Sequence, residues 1–280
     1  MEEYVVTSEG VKMPKIIYGT AWKKERTEAL VVQAVKAGFR GIDTACQPKH
    51  YEEALVGKAL KALAAEGIVR ESLYVQTKFT PLEGQDPKRI PYDPSAPLAA
   101  QVVQSFERSL ENLQTKYVDA LVLHSPLFPF KNLMSVWRAM EERYRSGGAR
   151  QLGISNCYEL PLLKRLYEEA GVKPALVQNR FYDASGYDAE LRAWCAERGI
   201  VYQSFWTLTA NPHLLGSDTL LRLAFKYRKS PPQILFAYLS GCGVVPLSGT
   251  TSPEHMHEDL SSFDVQLEEA ESAAVTALLR

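Results

Sequence analysis

Four side chains that can move a proton follow apolar runs in the first half of the chain. The run 39–42 ends on Asp43, and Tyr51 comes eight residues after that acid. Lys78 and His124 end two later runs, LYVQTK and VDALVLH. An ammonium beside a tyrosine favours the phenolate, and a carboxylate paired with the lysine keeps that ammonium charged. Such a hydroxyl can protonate a developing alkoxide while a histidine orients the carbonyl oxygen, so these residue types predict proton delivery to a carbonyl.

The elements that position these residues alternate between short apolar runs and helical patterns. The runs lack polar alternation, which is typical of parallel strands buried on both faces. Eight strand–helix pairs in 280 residues match the usual size of a (β/α)8 TIM barrel, and no linker divides the chain. We therefore predict an α/β protein, a single barrel domain over residues 1–280. The predicted strands are 15–19, 39–43, 73–77, 118–123, 149–154, 175–178, 200–204 and 244–247, and the predicted helices are 28–36, 52–66, 99–112, 133–145, 160–169, 189–198, 219–227 and 253–260.

The first residues have a different pattern, YVVTSEGVKMP at 4–14. Two short stretches flank Ser8, Glu9 and Gly10, which predicts an N-terminal β-hairpin that caps the bottom of the barrel. A doubly wound open sheet is the structural alternative. That fold usually carries a GxGxxG turn after its first strand, and the sequence has none.

The predicted barrel brings the four side chains together. Active sites of such barrels lie at the carboxyl ends of the strands. Alone, a lysine there is often a solvated rim charge, a histidine a structural hydrogen-bonding group and an aspartate a helix N-cap. The convergence of Asp43, Tyr51, Lys78 and His124 within four consecutive units favours a catalytic site.

The bulk composition excludes several classes of partner. Lys and Arg number 32 against 33 Asp and Glu, a net charge of −1, which gives no electrostatic basis for binding nucleic acid or an anionic membrane. No apolar run reaches the ~18 residues of a membrane helix, and the start, MEEYVVTSEG, lacks a signal-peptide apolar region. We therefore expect a cytoplasmic protein. The five histidines lack ligand spacing and the four cysteines form no CxxC, so we expect no metal and reduced thiols.

The order of the motifs resembles one family. The motifs GT, GIDTA, Y, TK, LH, GISN, Q and P-S follow one another over nearly the whole chain, in the order typical of the aldo-keto reductases. The resemblance implies a barrel that binds NADPH without a Rossmann domain. It implies reversible hydride transfer between the nicotinamide and an aldehyde or ketone, a small-molecule carbonyl substrate, and a monomer.

The resemblance also assigns roles to residues at matching positions. The catalytic group would be Asp43, Tyr51, Lys78 and His124. The residues matching positions that hold the nicotinamide are Ser155, Asn156, Gln178 and Phe205, where phenylalanine replaces the usual stacking tyrosine. The other cofactor positions are matched by Thr20 at the ribose, by Ser204, Trp206 and Leu208 where the pyrophosphate loop begins, by His255 at a cation position for the 2′-phosphate, and by Glu258 and Asp259 at the adenine. Beside the predicted helix N-terminus in the same segment, Ser248, Thr250 and Thr251 supply hydroxyl donors for the phosphate. The expected substrate pocket is formed by Trp22, Phe79 and Phe128.

The proton-donor segment departs from the family pattern. The interval from Asp43 to Tyr51 is longer than usual, and Pro48 stands at the usual position of the tyrosine. Counted back from Val56-Gly57, that position falls closer to His50. We assign the donor to Tyr51 and keep His50 as the alternative.

The cofactor-phosphate segment VPLSGTTSPEHMHEDL also departs from the pattern. Leu247 and His255 stand where the family commonly has the two cations that contact the 2′-phosphate of NADPH. What remains is the predicted helix N-terminus at Ser252-Pro253, which can bind an anion. NADPH is the expected cofactor, with NADH as the alternative.

Two further features concern the pocket and the rival functions. The long, proline-rich loop 79–97 predicts a rim over the pocket, and a chain ending at Arg280 predicts an open one. A nucleotide-binding sensor or scaffold with weak catalysis is the main alternative function, because the tyrosine segment is modified. A Schiff-base aldolase using Lys78 would need a lowered lysine pKa, which Asp43 opposes.

Overall fold

The computed structural model describes residues 4–279 and contains a closed barrel of eight parallel strands. The order around the barrel follows the chain, and the last strand pairs with the first. A separate antiparallel hairpin precedes the barrel. The hairpin strands are β1 (Tyr4–Val6) and β2 (Lys12–Pro14), and the barrel strands are β3 (Ile17–Gly19), β4 (Gly41–Asp43), β5 (Tyr74–Phe79), β6 (Ala120–Leu123), β7 (Leu152–Ser155), β8 (Leu176–Arg180), β9 (Val201–Phe205) and β10 (Val244–Ser248).

Helices surround the barrel and cover the outward faces of its strands. They are α1 (Thr27–Ala37), α2 (Glu53–Ala65), α3 (Leu98–Leu113), α4 (Phe130–Arg145), α5 (Leu160–Glu169), α6 (Ala189–Ala196), α7 (Pro212–Leu215), α8 (Asp218–Tyr227), α9 (Pro231–Gly241), α10 (Pro253–Leu260) and α11 (Glu269–Thr276). The predicted TIM barrel and the predicted hairpin are therefore confirmed. Within residues 4–279, no helix is both long and apolar enough to cross a membrane.

The sequence patterns missed helix α9, the short α7 and the last helix, α11. Helix α9 is almost entirely buried, from Gln233 to Leu239, so its residues show no amphipathic stripe. Its start carries a usable signal, because Ser230 and Gln233 form a capping box on either side of two prolines.

The hairpin closes the bottom of the barrel with both apolar and polar contacts. Met13 of β2 packs against Ile17, Tyr74 and Val245, which face the barrel interior. The Thr7 hydroxyl in the hairpin turn donates to Oε1 of Gln151 at 2.6 Å. The turn forms because Gly10 adopts a positive φ of 73°, which glycine tolerates best.

Helices α2 and α3 approach so closely at Gly57 that a methyl group has no room. A Cβ built on Gly57 would lie 2.0 Å from the backbone oxygen of Asn112. We expect Gly57→Ala to lower the free energy of unfolding by about 2–3 kcal/mol, because the two helices must separate. Urea unfolding measures this change.

The matched control is Gly241→Ala at the end of α9, where a new Cβ meets nothing within 4 Å. It should leave the free energy of unfolding within about 0.5 kcal/mol of the wild type or raise it slightly. Equal stability of the two variants would show that α2 and α3 are less tightly packed than the structure indicates.

Candidate active site

The two-residue period of the strands brings the predicted site residues to one mouth of the barrel. In β5, Gln76 and Lys78 face the barrel interior, whereas Phe79 belongs to the outer layer beneath the helices. His124, two residues beyond the inward Val122 of β6, lines the same mouth. The barrel thus brings inward residues from the carboxyl ends of different strands to one mouth.

A buried ion pair lies at the centre of this mouth. The Lys78 Nζ is 2.6 Å from Oδ1 of Asp43, and the side chains are 1% and 3% exposed. Lys78 also donates to the backbone oxygen of Thr44 at 3.0 Å. Burial lowers the pKa of Lys78, and the Asp43 carboxylate opposes that shift. The acid is thus the main group that keeps this buried lysine charged.

The segment with the inserted residues is tied to the neighbouring strand and loop. The Cys46 amide donates to the Lys78 oxygen at 3.3 Å, and the Tyr51 amide donates to the Gln47 oxygen at 3.1 Å. The Gln47 side chain donates to the Gly84 oxygen at 2.7 Å. The long loop 79–97 therefore holds the tyrosine segment from one side, and its Thr80 and Gly84 reach the cavity.

Tyr51, rather than His50, lies beside the lysine and the catalytic histidine candidate. The Lys78 Nζ lies 5.1 Å from the centre of the Tyr51 ring. The Tyr51 ring meets the His124 ring edge-on, with centroids 6.1 Å apart. The His50 ring instead stacks on Trp22, with centroids 3.9 Å apart.

One electrostatic expectation is wrong for this structure. The pKa of Tyr51 is raised well above its ordinary value, first by burial and then by the Asp43 carboxylate. The Lys78 ammonium does not reverse this shift, because burial and the Asp43 carboxylate outweigh it. The hydroxyl therefore stays protonated at neutral pH, as a proton donor must.

His124 is held as a neutral imidazole. Burial and the nearby positive charges of Lys78 and His50 lower its pKa well below the ordinary value. Its Nδ1 is 2.6 Å from the Thr80 hydroxyl. Thr80 lies two residues after Lys78 on the same side of the chain, a spacing that could have identified it from the sequence.

A cavity of about 990 Å³ opens above these residues, and we call it the top cavity. Most of the sequence-predicted residues line it. They are Trp22, Asp43, Tyr51, His124, Ser155, Asn156, Gln178, Phe205, Trp206, Leu208, Ser248, Thr250, His255, Glu258 and Asp259. The alternative donor His50 and the substituted Leu247 line it as well.

Several predicted residues lie elsewhere. Phe79 packs against Tyr92 under the helices, because it alternates with the inward Lys78. Phe128 is 71% exposed on the loop that leads into α4, outside the residues that line the top cavity. Neither of the two therefore lines the top cavity, where the substrate pocket was expected.

Three others support the site from behind or lie beside it. Thr20 is fully buried, and its hydroxyl donates to the Asp43 backbone oxygen at 2.8 Å. Ser204 is also fully buried and accepts a hydrogen bond from Thr207 at 2.9 Å. Thr251 is exposed in the turn before α10. None of the three belongs to the lining of the top cavity.

The residues expected to hold the nicotinamide form a connected polar edge. The Ser155 hydroxyl donates to the Gln178 backbone oxygen at 2.7 Å, and the Asn156 amide donates to the His124 oxygen at 2.8 Å. Phe205 follows on β9 with its ring on the cavity. Amides beside an aromatic face fit the carboxamide and ring of a nicotinamide, so the chain's own residues suit that cofactor.

At the expected phosphate end, a lysine from another element partly restores the missing positive charge. Lys23, which follows Trp22, lines the cavity and donates to the Gly249 backbone oxygen. Ser248 is less available than expected, because its hydroxyl donates to Asp259 at 2.5 Å. Burial raises the pKa of that acid to about 6.

Other cavity residues were missed for lack of a distinctive sequence signal. Arg180 ends β8 and lies over the Trp206 ring, 4.3 Å from its centre. Among the described residues, no group of histidine, cysteine and acidic side chains could hold a metal ion. The four cysteines form no disulfide within the described residues.

The closed barrel, the capping hairpin and the lysine–aspartate pair define a class of oxidoreductase that acts on carbonyl or alcohol groups. The chain belongs to the Aldo/keto reductase family, whose family model matches residues 15–280. It is 29% identical to the methylglyoxal reductase DkgA of Yersinia pestis, over 99% of this chain and 93% of that protein. It is equally 29% identical to the glyoxal reductase of Bacillus subtilis (strain 168), over 99% of this chain and 93% of that protein.

A solved structure supports the same conclusion. The Bombyx mori aldo-keto reductase in complex with NADP matches with a TM-score of 0.81 and 26% identity, covering 98% of this chain and 92% of that one. The predicted family is therefore confirmed.

The buried ion pair predicts how an Asp43→Asn variant should unfold. The charge of Lys78 would lose its partner, so the free energy of unfolding at pH 7 should fall by about 3–5 kcal/mol. The pKa of Lys78 in the folded protein should fall further below its unfolded value. Between those two values the unfolded chain binds more protons, so the variant should gain stability from pH 7 to 9 more steeply than the wild type.

Urea unfolding at both pH values measures the effect, and Glu66→Gln is the control. Glu66 pairs with Lys36 on the surface, where both side chains are 50% exposed, so its loss should cost under about 0.5 kcal/mol. An Asp43→Asn variant as stable as this control at both pH values would mean that Lys78 is not charged in the folded protein.

Proposed function

We propose that this protein reduces small aldehydes and ketones, including dicarbonyls such as methylglyoxal and glyoxal, with NADPH as the hydride source. The observation that carries the proposal is the position of Tyr51 in the top cavity, beside both Lys78 and His124. The names of the two curated relatives support the dicarbonyl substrate class. The Bombyx mori complex supports an NADP-type cofactor.

The proposed proton path uses the chain's own side chains. A bound nicotinamide nucleotide supplies the hydride that the carbonyl carbon accepts. Tyr51 donates its proton to the carbonyl oxygen, and its raised pKa keeps it protonated until charge develops there. Lys78 then stabilises the phenolate, and Asp43 keeps Lys78 in place.

His124 orients the carbonyl oxygen as a neutral hydrogen-bond donor. A neutral imidazole carries one N–H, and the hydrogen bond at one nitrogen decides where it lies. The Thr80 hydroxyl is at Nδ1, and when it donates there, Nε2 carries the proton. That N–H can polarise the carbonyl without changing the charge of the site.

The family pattern favours NADPH, and one contact in the cavity supports that preference. Leu247 and His255 replace the usual cations, but Lys23 lies at the loop between β10 and α10. Its position near Gly249 suits a phosphate bound above that loop. Burial and Arg26 lower the pKa of Lys23, and a bound phosphate would oppose that shift and keep the lysine charged.

Replacing the proposed donor tests the chemistry directly. Tyr51→Phe should lower kcat for methylglyoxal and 4-nitrobenzaldehyde by about 100-fold or more, because it removes the proton and keeps the ring. The affinity for NADPH, measured by nicotinamide fluorescence, should stay within about twofold. Tyr238→Phe in α9, where the hydroxyl contacts Thr276 at 2.8 Å, is the matched control and should keep full activity.

His50→Gln separates the two candidate donors. Activity lost in this variant and kept in Tyr51→Phe would transfer the role to His50. A wild-type protein that binds NADPH but turns over neither carbonyl would instead support the sensor or scaffold alternative.

The cofactor preference is tested at Lys23. Lys23→Met should weaken NADPH binding by about tenfold, because a charge-assisted contact to phosphate is lost. NADH binding should change by less than about twofold. Lys58→Met, an exposed lysine on α2, is the control, and equal losses for both nucleotides in Lys23→Met would contradict this role.

A further inference from the structure

Three glutamines from three strands form a hydrogen-bonded ring beneath Asp43. The Gln76 Nε2 donates to Oδ1 of Asp43 at 2.7 Å, and the Gln178 Nε2 donates to the same oxygen at 3.0 Å. Both nitrogens also donate to Oε1 of Gln203, at 2.9 and 2.8 Å. The Gln203 Nε2 donates back to Oε1 of Gln76 at 2.9 Å. The three side chains are at most 3% exposed.

The carboxylate determines how all three amides are oriented. An ionised aspartate only accepts hydrogen bonds, so Gln76 and Gln178 must turn their nitrogens towards it. Gln203 then faces two N–H groups and must present its oxygen. A flipped amide anywhere in the ring would bring two donors or two acceptors together in a buried site, which costs free energy.

This ring leaves Gln178 with only one free hydrogen-bonding group. Both of its N–H groups are committed, one to Asp43 and one to Gln203. Gln178 lines the top cavity, and no described residue donates to its Oε1. The side chain can therefore accept a hydrogen bond from a ligand but cannot donate one.

We propose that Gln76 and Gln203 are positioning residues that lock the amide of Gln178, so that its oxygen selects a nicotinamide with a carboxamide N–H. This inference rests on the proposed function, because it takes Gln178 as part of the cofactor site. It assigns a role in recognition to two residues that do not line the cavity.

The same polar column continues downwards and supplies a matched control. The Tyr74 hydroxyl donates to Oε1 of Gln76 at 3.0 Å, and the Gln151 Nε2 donates to that hydroxyl at 3.0 Å. Gln151 is as buried as Gln203. A purely structural role for the ring predicts that replacing either glutamine changes stability alone.

The test compares binding of NADPH with binding of its 3-acetylpyridine analogue, which lacks the carboxamide N–H. Dissociation constants come from fluorescence titration, without turnover. We expect the wild type to prefer NADPH and Gln203→Met to reduce that preference about fivefold, because only the 3.0 Å contact to Asp43 then opposes a turn of the Gln178 amide towards the acetyl oxygen. Gln203→Glu should restore the preference, because a buried, protonated carboxylic acid keeps an acceptor for Gln178 and a donor for Gln76. Gln151→Met should keep the wild-type ratio of the two dissociation constants, even if its unfolding midpoint falls as far as that of Gln203→Met.

Each outcome bears on one proposal. An unchanged ratio in Gln203→Met, or an equal loss in Gln151→Met, would overturn the positioning role. A wild type that binds neither nucleotide would refute the proposed function instead. If Gln203→Met does not fold, Gln203→Thr, which leaves space for water beside Gln178, is measured with the same expectation.

Discussion

The structure depends on keeping a charged lysine buried, away from solvent, in the middle of the barrel. Burial disfavours the ammonium of Lys78, and the Asp43 carboxylate opposes that cost at 2.6 Å. A buried pair of this kind adds little net stability, but removing one partner strongly destabilises the protein. Both partners must therefore be held in place. The carboxylate receives donors from the lysine and from two glutamines. The polar interior of the barrel is therefore a consequence of holding one charge.

The geometry of parallel strands explains why the site needs residues from so many parts of the chain. Along each strand, residues that face the barrel interior alternate with residues that face the helices, and the inward residues at the carboxyl ends meet at one mouth. Lys78 and Phe79 show the two outcomes for adjacent residues. The modified tyrosine segment keeps its place because the long loop after β5 holds it through Gln47 and Gly84. Hydrogen bonds at the rim of the barrel thus hold the tyrosine segment in place despite its inserted residues.

Much of the fold was predictable, because the signals that define it are local. The eight apolar runs lie within a few residues of the barrel strands, and Gly10 marks the hairpin turn. Helix α9 was missed because a helix buried on nearly all sides has no periodic polar face. Phe79 was misplaced although the two-residue period was available: once Lys78 faces inward, its neighbour must face the helices.

The sequence by itself determined the family, the barrel and most of the residues that gather at its mouth. Motif order and residue type carry that information without distances. Only the tertiary structure decided the electrostatics: the raised pKa of Tyr51, the neutral state of His124 and the ring of Gln76, Gln178 and Gln203. Burial and hydrogen-bond partners set these properties, and both depend on contacts between distant parts of the chain. Gln76 and Gln203, for example, are 127 positions apart in the sequence.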